Sequence, residues 1–450
     1  MPTTVQLALL VLSELLLGFG IICRLRPGQP LPALLRTQWG LALLAGVPTS
    51  TLLLFLQQLA GFGLAFIPFV VAGIVIGIGL LWPALRTRRG RPARQALPLD
   101  VARAPHPASL VILGIVVVAV LIGVWRCYYL PVRSRDGIVG FDLVAKYAVE
   151  QGSFQSSVFT DPHLQGSLSN QPFYAPFAAL AQILYRLTGL AFGKLWLSLL
   201  VIAFAQTLHR HFIRRQHPAI AAYLVLAFFA VPEMYGHTFN AAPDLPNAIF
   251  WAAGMLVLSE WYEARATRAG ASDSGGPPPS VPAPRRFDLV LAGSFFGWAC
   301  WTRSETVFLV VIGVLALQVA ALLSRRKLGV SGVAALLVPS LLLFATWNLV
   351  YCPLVLNYDP GAQVGYQLPT PDRIRDTLTK LLWLLQSQTL YGPILFVFGV
   401  GVAANFARAR GQGGTLHLTG FILVVCCYAV LLLFVPSATA EHTAKRGFFK

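Results

Sequence analysis

No Asp, Glu, Lys or Arg occurs in the stretch QWGLALLAGVPTSTLLLFLQQLAGFGLAFIPFVVAGIVIGIGLLWPAL, residues 38–85. A helix needs roughly 20 predominantly apolar residues to cross a bilayer, and this stretch is more than twice as long. Strands are excluded because an open sheet would leave unpaired backbone groups in lipid. The stretch therefore predicts two membrane helices joined by a short turn.

The same pattern recurs along the chain, which has 450 residues, of which 56% are hydrophobic and 11% charged. The mean hydropathy is +0.68. We predict an all-α polytopic membrane protein with about 12 transmembrane helices and an outer loop that bears amphipathic helices. The other apolar stretches are residues 5–23, 108–125, 191–208, 219–232, 245–259, 289–302, 306–324, 330–358, 381–407 and 416–440.

Positive charge marks one side of this arrangement. The net charge of +17 comes from Lys and Arg clustered in short segments after every second predicted helix. This is the positive-inside pattern, so we expect those segments to face the cytoplasm and exclude nucleic acid as the partner. No basic residue precedes the first apolar stretch, so it is expected to be a retained helix with its start outside. The clusters are residues 24–36, 86–103, 210–215, 265–286, 325–327 and 408–410.

Acidic residues gather on the opposite, extracytoplasmic side of this predicted topology. A carboxylate close to a bilayer is costly, so several on one side indicate a reaction site at the membrane surface. These acids are Asp136, Asp142, Asp161, Asp244 and Glu305.

We divide the chain into four segments by these patterns. Residues 1–107 hold N-terminal transmembrane helices, and residues 108–264 hold a catalytic transmembrane region with a large extracytoplasmic loop at 130–189. Residues 265–287 form a cytoplasmic linker, flexible over the Gly- and Pro-rich positions 269–284. Residues 288–450 form a C-terminal transmembrane region.

The cysteines give no indication of a metal site. The six of them lack metal-ligand spacing, and we expect free thiols. Cys127 and Cys352 both lie near predicted outer helix ends, so a disulfide between them is the alternative.

The start of the long outer loop contains the first candidate catalytic residue. Asp136 follows a membrane helix and precedes an amphipathic segment at residues 141–150, which we expect to lie along the membrane. That placement would hold the carboxylate at the depth of the lipid headgroups. The alternative is a turn residue, because Asp-Gly is a common turn pair. One face of the predicted helix contains Phe141, Val144, Ala145 and Ala148.

Two later segments bring further charged groups to the same side. Asp244 stands at the outer start of a predicted helix, where it could instead be an N-cap. Arg303 and Glu305 stand in the outer turn between two helices, where they could instead form a simple ion pair.

Over about residues 125–450, the chain resembles the polytopic GT-C glycosyltransferases. The order of these segments and their predicted position on one side of the membrane carry the resemblance. The resemblance rests on Asp136 after an early helix, the amphipathic helix, QPFYAPF at 171–177, DLP at 244–246, WTRSET at 301–306 and a basic tail. The chain departs from the family in having three extra helices before the loop, and Gly137 where many members have a second acid.

The resemblance implies inverting transfer of a hexose or pentose from a polyprenyl-phosphate carrier to a glycan, lipid or protein acceptor. The reaction would take place outside the cytoplasm, in a bacterial inner membrane. Asp136 would be the base or acceptor-orienting carboxylate, with Asp244 and Glu305 as supporting or metal-binding acids; no cofactor is certain, and a divalent metal is left open. Contacts to the carrier phosphate would come from Arg303, His442, Lys445 and Arg446. The remaining candidate substrate contacts are His163, Tyr174 and Asn240.

Two other classes of protein are compatible with the sequence. A transporter or flippase of lipid-linked glycans would also have many helices, and Glu14 inside the first apolar stretch is the kind of charge that such proteins use. Glu14 could equally be a helix-contact residue. A scaffold subunit is the third class, and it predicts no dependence on Asp136.

Overall fold

The computed structural model describes residues 2–26, 31–86, 106–134, 137–167, 173–273, 286–323, 328–358 and 370–385. In these ranges the regular structure is entirely helical, with no strand. The predicted all-α class is therefore confirmed for the described part of the chain.

Five helices among the described residues are long and apolar enough to cross a membrane. The stretch at 38–85 forms two of them, as predicted, and they are joined by a turn in which Gly61 adopts a left-handed conformation with φ of 81°. We predicted about 12 spans. Within the described residues, five helices have the length and apolar composition that a membrane span needs. The five are α1 (Thr3–Leu25), α3 (Trp39–Leu59), α4 (Phe66–Arg86), α5 (Pro107–Tyr129) and the continuous helical stretch Val330–Leu354.

The other predicted apolar stretches are helical over most of their described residues. The stretches at 386–407 and 416–440 lie outside the described residues, while 381–385 ends helix α18. The stretch Val330–Leu354 consists of α16 (Val330–Ala345), a π-helical segment (Thr346–Tyr351) and α17 (Cys352–Leu354). The remaining helices are α2 (Leu31–Thr37), α6 (Leu143–Gln151), α7 (Ser157–Thr160), α8 (Pro162–Ser167), α9 (Phe177–Leu187), α10 (Leu195–Ile213), α11 (Pro218–Ala230), α12 (Pro232–His237), α13 (Asp244–Asp273), α14 (Arg286–Thr302), α15 (Thr306–Leu323) and α18 (Pro371–Leu385).

The N-terminal helices are built into the body of the protein. Helix α1 packs against α3 and α4, and it also contacts α14. Glycines allow the close approach of α1 and α3, since a Cβ at Gly18 would lie 1.8 Å from Ala42 O and one at Gly46 would lie 1.8 Å from Glu14 O. The three extra helices that precede the loop are thus a part of the core.

The helix ends form two layers with different charge. Asp244 begins α13, and Glu260 lies on the same helix about 24 Å away at the helical rise per residue. Glu260 is joined to the end of α1 and, through Arg26, to the start of α14. We call the layer that holds Arg26 and Glu260 the basic end and the layer that holds Asp244 the acidic end.

The segment predicted to be an amphipathic helix along the membrane contains helix α6, and its apolar face is buried inside the protein. Phe141 is 2% exposed and Val144, Ala145 and Ala148 are 0% exposed. The protein itself covers this face, because α6 packs against α9 where the chain returns into the helical body. Phe141 belongs to a π-helical segment, Gly137–Asp142, that leads directly into α6.

The predicted linker is shorter at its start than the sequence suggested. Helix α13 continues through Asp273, so residues 269–273, which were predicted to be flexible, are helical. Helical propensity carries α13 beyond its apolar stretch, because EARATRAGA at residues 263–271 contains several good helix formers. Residues 274–285 lie outside the described part of the chain.

Candidate functional site

Arg303 brings together two of the predicted acids at the acidic end. Its Nη1 donates to Asp244 Oδ1, and its Nε donates to Glu305 Oε1 over 2.7 Å. Asp244 is 5% exposed, whereas 46% of the Glu305 side chain is exposed. We call these three residues the acidic-end triad. It contains the predicted ion pair between Arg303 and Glu305, with Asp244 as an additional partner.

The turn that holds Arg303 and Glu305 is fixed by two asparagines. Asn247, one turn into α13, donates from Nδ2 to Ala299 O at 2.8 Å and to Thr306 Oγ1 at 2.7 Å. Asn348 donates from Nδ2 to Ser304 Oγ at 2.9 Å. Helix α13 and the Val330–Leu354 stretch are therefore both bound to the α14–α15 turn.

Sequence reasoning missed both asparagines. A signal was present, since each is a polar residue inside an otherwise apolar stretch, and such residues in membrane helices usually hydrogen bond to a neighbouring helix. What the sequence could not supply was the identity of that neighbour.

Asp136 lies outside the described residues, but Gly137 lies inside them. A Cβ at Gly137 would lie 3.1 Å from Ala241 O and 2.6 Å from Val132 Cγ1, so a side chain at this position would force its neighbours apart. The residue after Asp136 thus packs against the segment that leads to Asp244. This crowding favours glycine at position 137.

The other predicted substrate contacts lie in separate segments. His163 is exposed on α8, and its backbone N–H donates to Asp161 Oδ1 at 2.8 Å. Tyr174 is 37% exposed, with its ring 6.4 Å from that of Phe141. Asn240 is half-buried, and its carbonyl accepts from Ala242 N at 2.8 Å. The structure does not describe the remaining three, His442, Lys445 and Arg446.

The acidic-end triad does not fit a divalent-metal site. Among the described residues no group of three or more His, Cys, Asp or Glu side chains is close enough to hold a metal ion. Asp244 and Glu305 both bind the guanidinium of Arg303, which supplies the positive charge between them. Asp244 Oδ1 and Glu305 Oε1 are therefore already engaged by a cationic side chain.

A second ionic group ties the outer loop to the helical body. Arg186 Nη2 lies 2.6 Å from Asp142 Oδ1, which also accepts from Gln182 Nε2 at 2.9 Å. Gln182 Oε1 in turn accepts from Trp196 Nε1 at 2.7 Å. The carboxylate of Asp142 thereby joins the loop to α9 and α10.

Lys194 connects three further segments at the acidic end. It is only 2% exposed, and its Nζ donates to Arg126 O at 3.4 Å, Pro131 O at 3.3 Å and Phe239 O at 3.3 Å. These carbonyls belong to the end of α5, the start of the loop and the segment before α13. Sequence analysis did not single out this lysine, because nothing local to it indicates burial.

Glu14 lies at a contact between helices. It is 0% exposed, Tyr185 OH donates to its Oε2 at 2.8 Å, and Ser50 Oγ donates to its Oε1 at 3.3 Å. The carboxyl group thus links α1 to α3 and α9.

The cysteines described by the structure are free. Cys127 and Cys352 are both buried thiols, so the alternative of a disulfide between them is not realised. The Cys127 thiol lies 3.5 Å from Thr238 O.

The chain matches no protein-family model, no curated protein and no solved structure.

Proposed function

We propose that this protein is a membrane glycosyltransferase that moves a sugar from a polyprenyl-phosphate carrier to an acceptor on the extracytoplasmic side of a bacterial inner membrane. The full set of about 12 helices, including those at 381–407 and 416–440, belongs to this proposal. One observation carries it: Arg303 joins Asp244 and Glu305, residues from separate parts of the chain, at the end opposite the basic end.

The burial of the triad supports a role in positioning carboxylates. In a poorly solvated region an ion pair is electrostatically stronger than in water, so a carboxylate bound to a fixed guanidinium keeps its charge and its orientation. Asp244 is the fixed member, and Glu305 is the member that a substrate can reach. Their anchoring by Asn247 and Asn348 adds the rigidity that a catalytic site requires.

Asp136 is the proposed general base. The acceptor hydroxyl loses its proton to this carboxylate while its oxygen forms a bond to the anomeric carbon. The bond between that carbon and the phosphate oxygen breaks, and its electron pair leaves with the polyprenyl phosphate. This single displacement inverts the anomeric centre. The contact of Gly137 with the segment before Asp244 supports an arrangement in which Asp136 and the triad act together.

The formal charge of the acidic-end triad is unfavourable for binding the carrier phosphate. These three residues, one arginine and two carboxylates, carry a formal charge of −1, which does not attract an anionic carrier. We therefore assign the phosphate to His442, Lys445 and Arg446, and Arg303 to the positioning of the two acids. This assignment changes the role that the family resemblance implies for Arg303.

The test is Asp136→Asn in the purified full-length protein, with labelled polyprenyl-phosphate hexose and pentose donors. General-base catalysis is worth about 10²–10⁴ in rate, so turnover should fall by that factor. Glu150→Gln is the matched control, because Glu150 is an exposed acid of the same loop, 4.0 Å from Lys146. Turnover of Asp136→Asn near the parent value would refute the base, and no transfer by the parent from any donor would refute the function.

A transporter or flippase of lipid-linked glycans is the second candidate, and the buried carboxyl group of Glu14 favours it. Reconstituted proteoliposomes distinguish the two. A flippase predicts that Glu14→Gln abolishes translocation of a lipid-linked sugar, whereas the glycosyltransferase predicts that transfer survives this substitution in protein that remains folded. A scaffold subunit predicts that neither Asp136→Asn nor Glu14→Gln changes a chemical activity.

A further inference from the structure

Two short segments lie beside each other at the acidic end. Residues 126–134 lead from α5 into the outer loop, and we call them the α5 exit. Residues 238–243 lead from α12 into α13, and we call them the α13 entry. Along the chain, Asp136 follows closely after the α5 exit, and Asp244 follows directly after the α13 entry. The spacing of the two segments therefore affects how the start of the outer loop lies relative to the acidic-end triad.

The direct contacts between the two segments are weak ones. The Sγ atom of Cys127 lies 3.5 Å from Thr238 O, and a thiol is a weak hydrogen-bond donor. The guanidinium carbon of Arg126 lies 4.3 Å from the centre of the Phe239 ring, and solvent weakens such a cation–π contact where it is partly exposed. These contacts bring the segments together but do not define their spacing strongly.

The ammonium group of Lys194 is the strongest link between the two segments. Its Nζ donates to Arg126 O at 3.4 Å and to Pro131 O at 3.3 Å, both in the α5 exit, and to Phe239 O at 3.3 Å, in the α13 entry. An ammonium group has three N–H donors, so these carbonyls use all of them. Lys194 directly precedes α10, which packs against α3, α5 and α11. The link is therefore anchored in the helical body.

This arrangement is costly as a means of stabilising the fold. Lys194 is only 2% exposed, and a buried charge loses its hydration. Its acceptors in the described part of the chain are main-chain carbonyls, with no carboxylate among them. The charge of Asp142 attracts Lys194, but that carboxylate is bound to Arg186, and the charge of Arg133 repels it. A buried cation without a carboxylate in contact indicates a function beyond packing.

We propose that Lys194 is a positioning residue that holds the α5 exit and the α13 entry at a fixed spacing, an inference that rests on the proposed glycosyl transfer. Because its three N–H groups all donate to the main chain, Lys194 acts through the segments that it joins and not on the substrate. The close packing of Gly137 requires the same spacing, since a Cβ there would lie 3.1 Å from Ala241 O. Loss of the link would let the start of the outer loop shift relative to the acidic-end triad.

The experiment compares two substitutions on either end of α10 in the full-length purified protein. Lys194→Met keeps an unbranched side chain but removes the ammonium group. The matched control is Gln206→Met, because Gln206 Nε2 donates to a main-chain carbonyl, Thr37 O, at 3.2 Å and at the opposite end of the helix. Lys194→Arg is the conservative variant, since it restores a cation with several N–H donors.

The first measurement is hydrogen–deuterium exchange without substrate, which does not depend on the reaction. Each segment has hydrogen-bonded amides that report its opening, such as Leu130 N to Arg126 O at 3.1 Å and Ala242 N to Asn240 O at 2.8 Å. We expect Lys194→Met to speed exchange about tenfold in both segments, as for the loss of one charged hydrogen bond. Gln206→Met should leave both segments unchanged.

The second measurement is turnover with the labelled polyprenyl-phosphate donor. Misplacement of reacting groups by about 1 Å can cost about 10² in rate, so kcat of Lys194→Met should fall by about that factor. KM for the donor should stay unchanged, because Lys194 does not contact the substrate. Lys194→Arg should recover part of kcat, and Gln206→Met should keep the parent value.

Two results would overturn the proposal. One is exchange in Lys194→Met that matches the parent in either segment, and the other is a kcat of Lys194→Met at the parent value. Absence of transfer by the parent would instead refute the proposed function, and the exchange comparison alone would then decide whether Lys194 holds the two segments together.

Discussion

The two ends of the α13–α14 pair carry the same ionic arrangement in opposite surroundings. At each end one arginine binds two carboxylates. Arg303 does so in the acidic-end triad, and Arg26 binds Glu260 and Asp288 in what we call the basic-end triad. The acidic-end arginine follows α14 directly, whereas the basic-end arginine comes from the end of α1. The acidic-end triad therefore joins α13 to the turn that follows α14. The basic-end triad joins α13 to α14 and also connects both to α1.

The difference between the triads lies in the residues around them. Other basic side chains, those of Arg214 and His211, stand close to the basic-end triad. The acidic-end triad is instead braced by neutral amides and has a formal charge of −1. The same ionic arrangement is thus supported by basic side chains at one end and by neutral amides at the other.

Replacement of the central arginine of either triad should cause the largest loss in the free energy of unfolding. Arg303→Met leaves Asp244 buried without that guanidinium, and loss of one partner of a buried pair costs about 3–5 kcal/mol. Arg26→Met should cost less, about 1–3 kcal/mol, since His211 and Arg214 remain near Glu260. Equilibrium unfolding in mixed micelles measures both. Equal losses would mean that the surrounding cations do not compensate.

The amide side chains that contact the two triads should also contribute unequally to the free energy of unfolding. Asn247→Ala removes a buried donor with several acceptors and should lower the free energy of unfolding by about 1–3 kcal/mol. Gln38→Ala removes one acceptor for Arg26 Nη1 and should cost about 1 kcal/mol. The same unfolding measurement compares them. A larger loss for Gln38→Ala would contradict the view that the acidic end depends more on its neutral braces.

Acid should weaken the basic-end triad in a defined interval. Burial raises the pKa of Glu260, but the nearby His211 and the charges of Arg26 and Arg214 lower it to about 2 in the folded state. This pKa is below the ordinary value of 4.5, so the stabilising contribution of Glu260 is complete above about pH 4.5 and is lost as the pH falls towards 2. The contribution is about 1–2 kcal/mol after allowance for partial exposure.

Glu260→Gln should remove this part of the acid sensitivity, which is read as the difference from the parent in unfolding experiments across that interval. Glu263→Gln is the control, because Glu263 is a more exposed acid one turn further along α13. An unchanged pH profile for Glu260→Gln would show that the carboxylate does not contribute through its charge.

The outer loop shows where prediction from the sequence ends. The apolar face of α6 was evident from the spacing of Phe141, Val144, Ala145 and Ala148, because helical periodicity is a local property. The sequence did not indicate whether lipid or another helix covers that face. Lipid and another protein helix are equally apolar, so the pattern cannot distinguish them, and the structure shows that α9 is the partner.

The sequence by itself determined the helical class and the two helices within residues 38–85. These properties follow from the length of apolar stretches and the position of charges between them, which the chain carries locally. Only the tertiary structure decided which charges meet. Arg26 binds a carboxylate 262 positions away, and such a pair depends on which helices are neighbours and how each is rotated about its axis. That information resides in the packing of side chains across the whole body and not in any one segment.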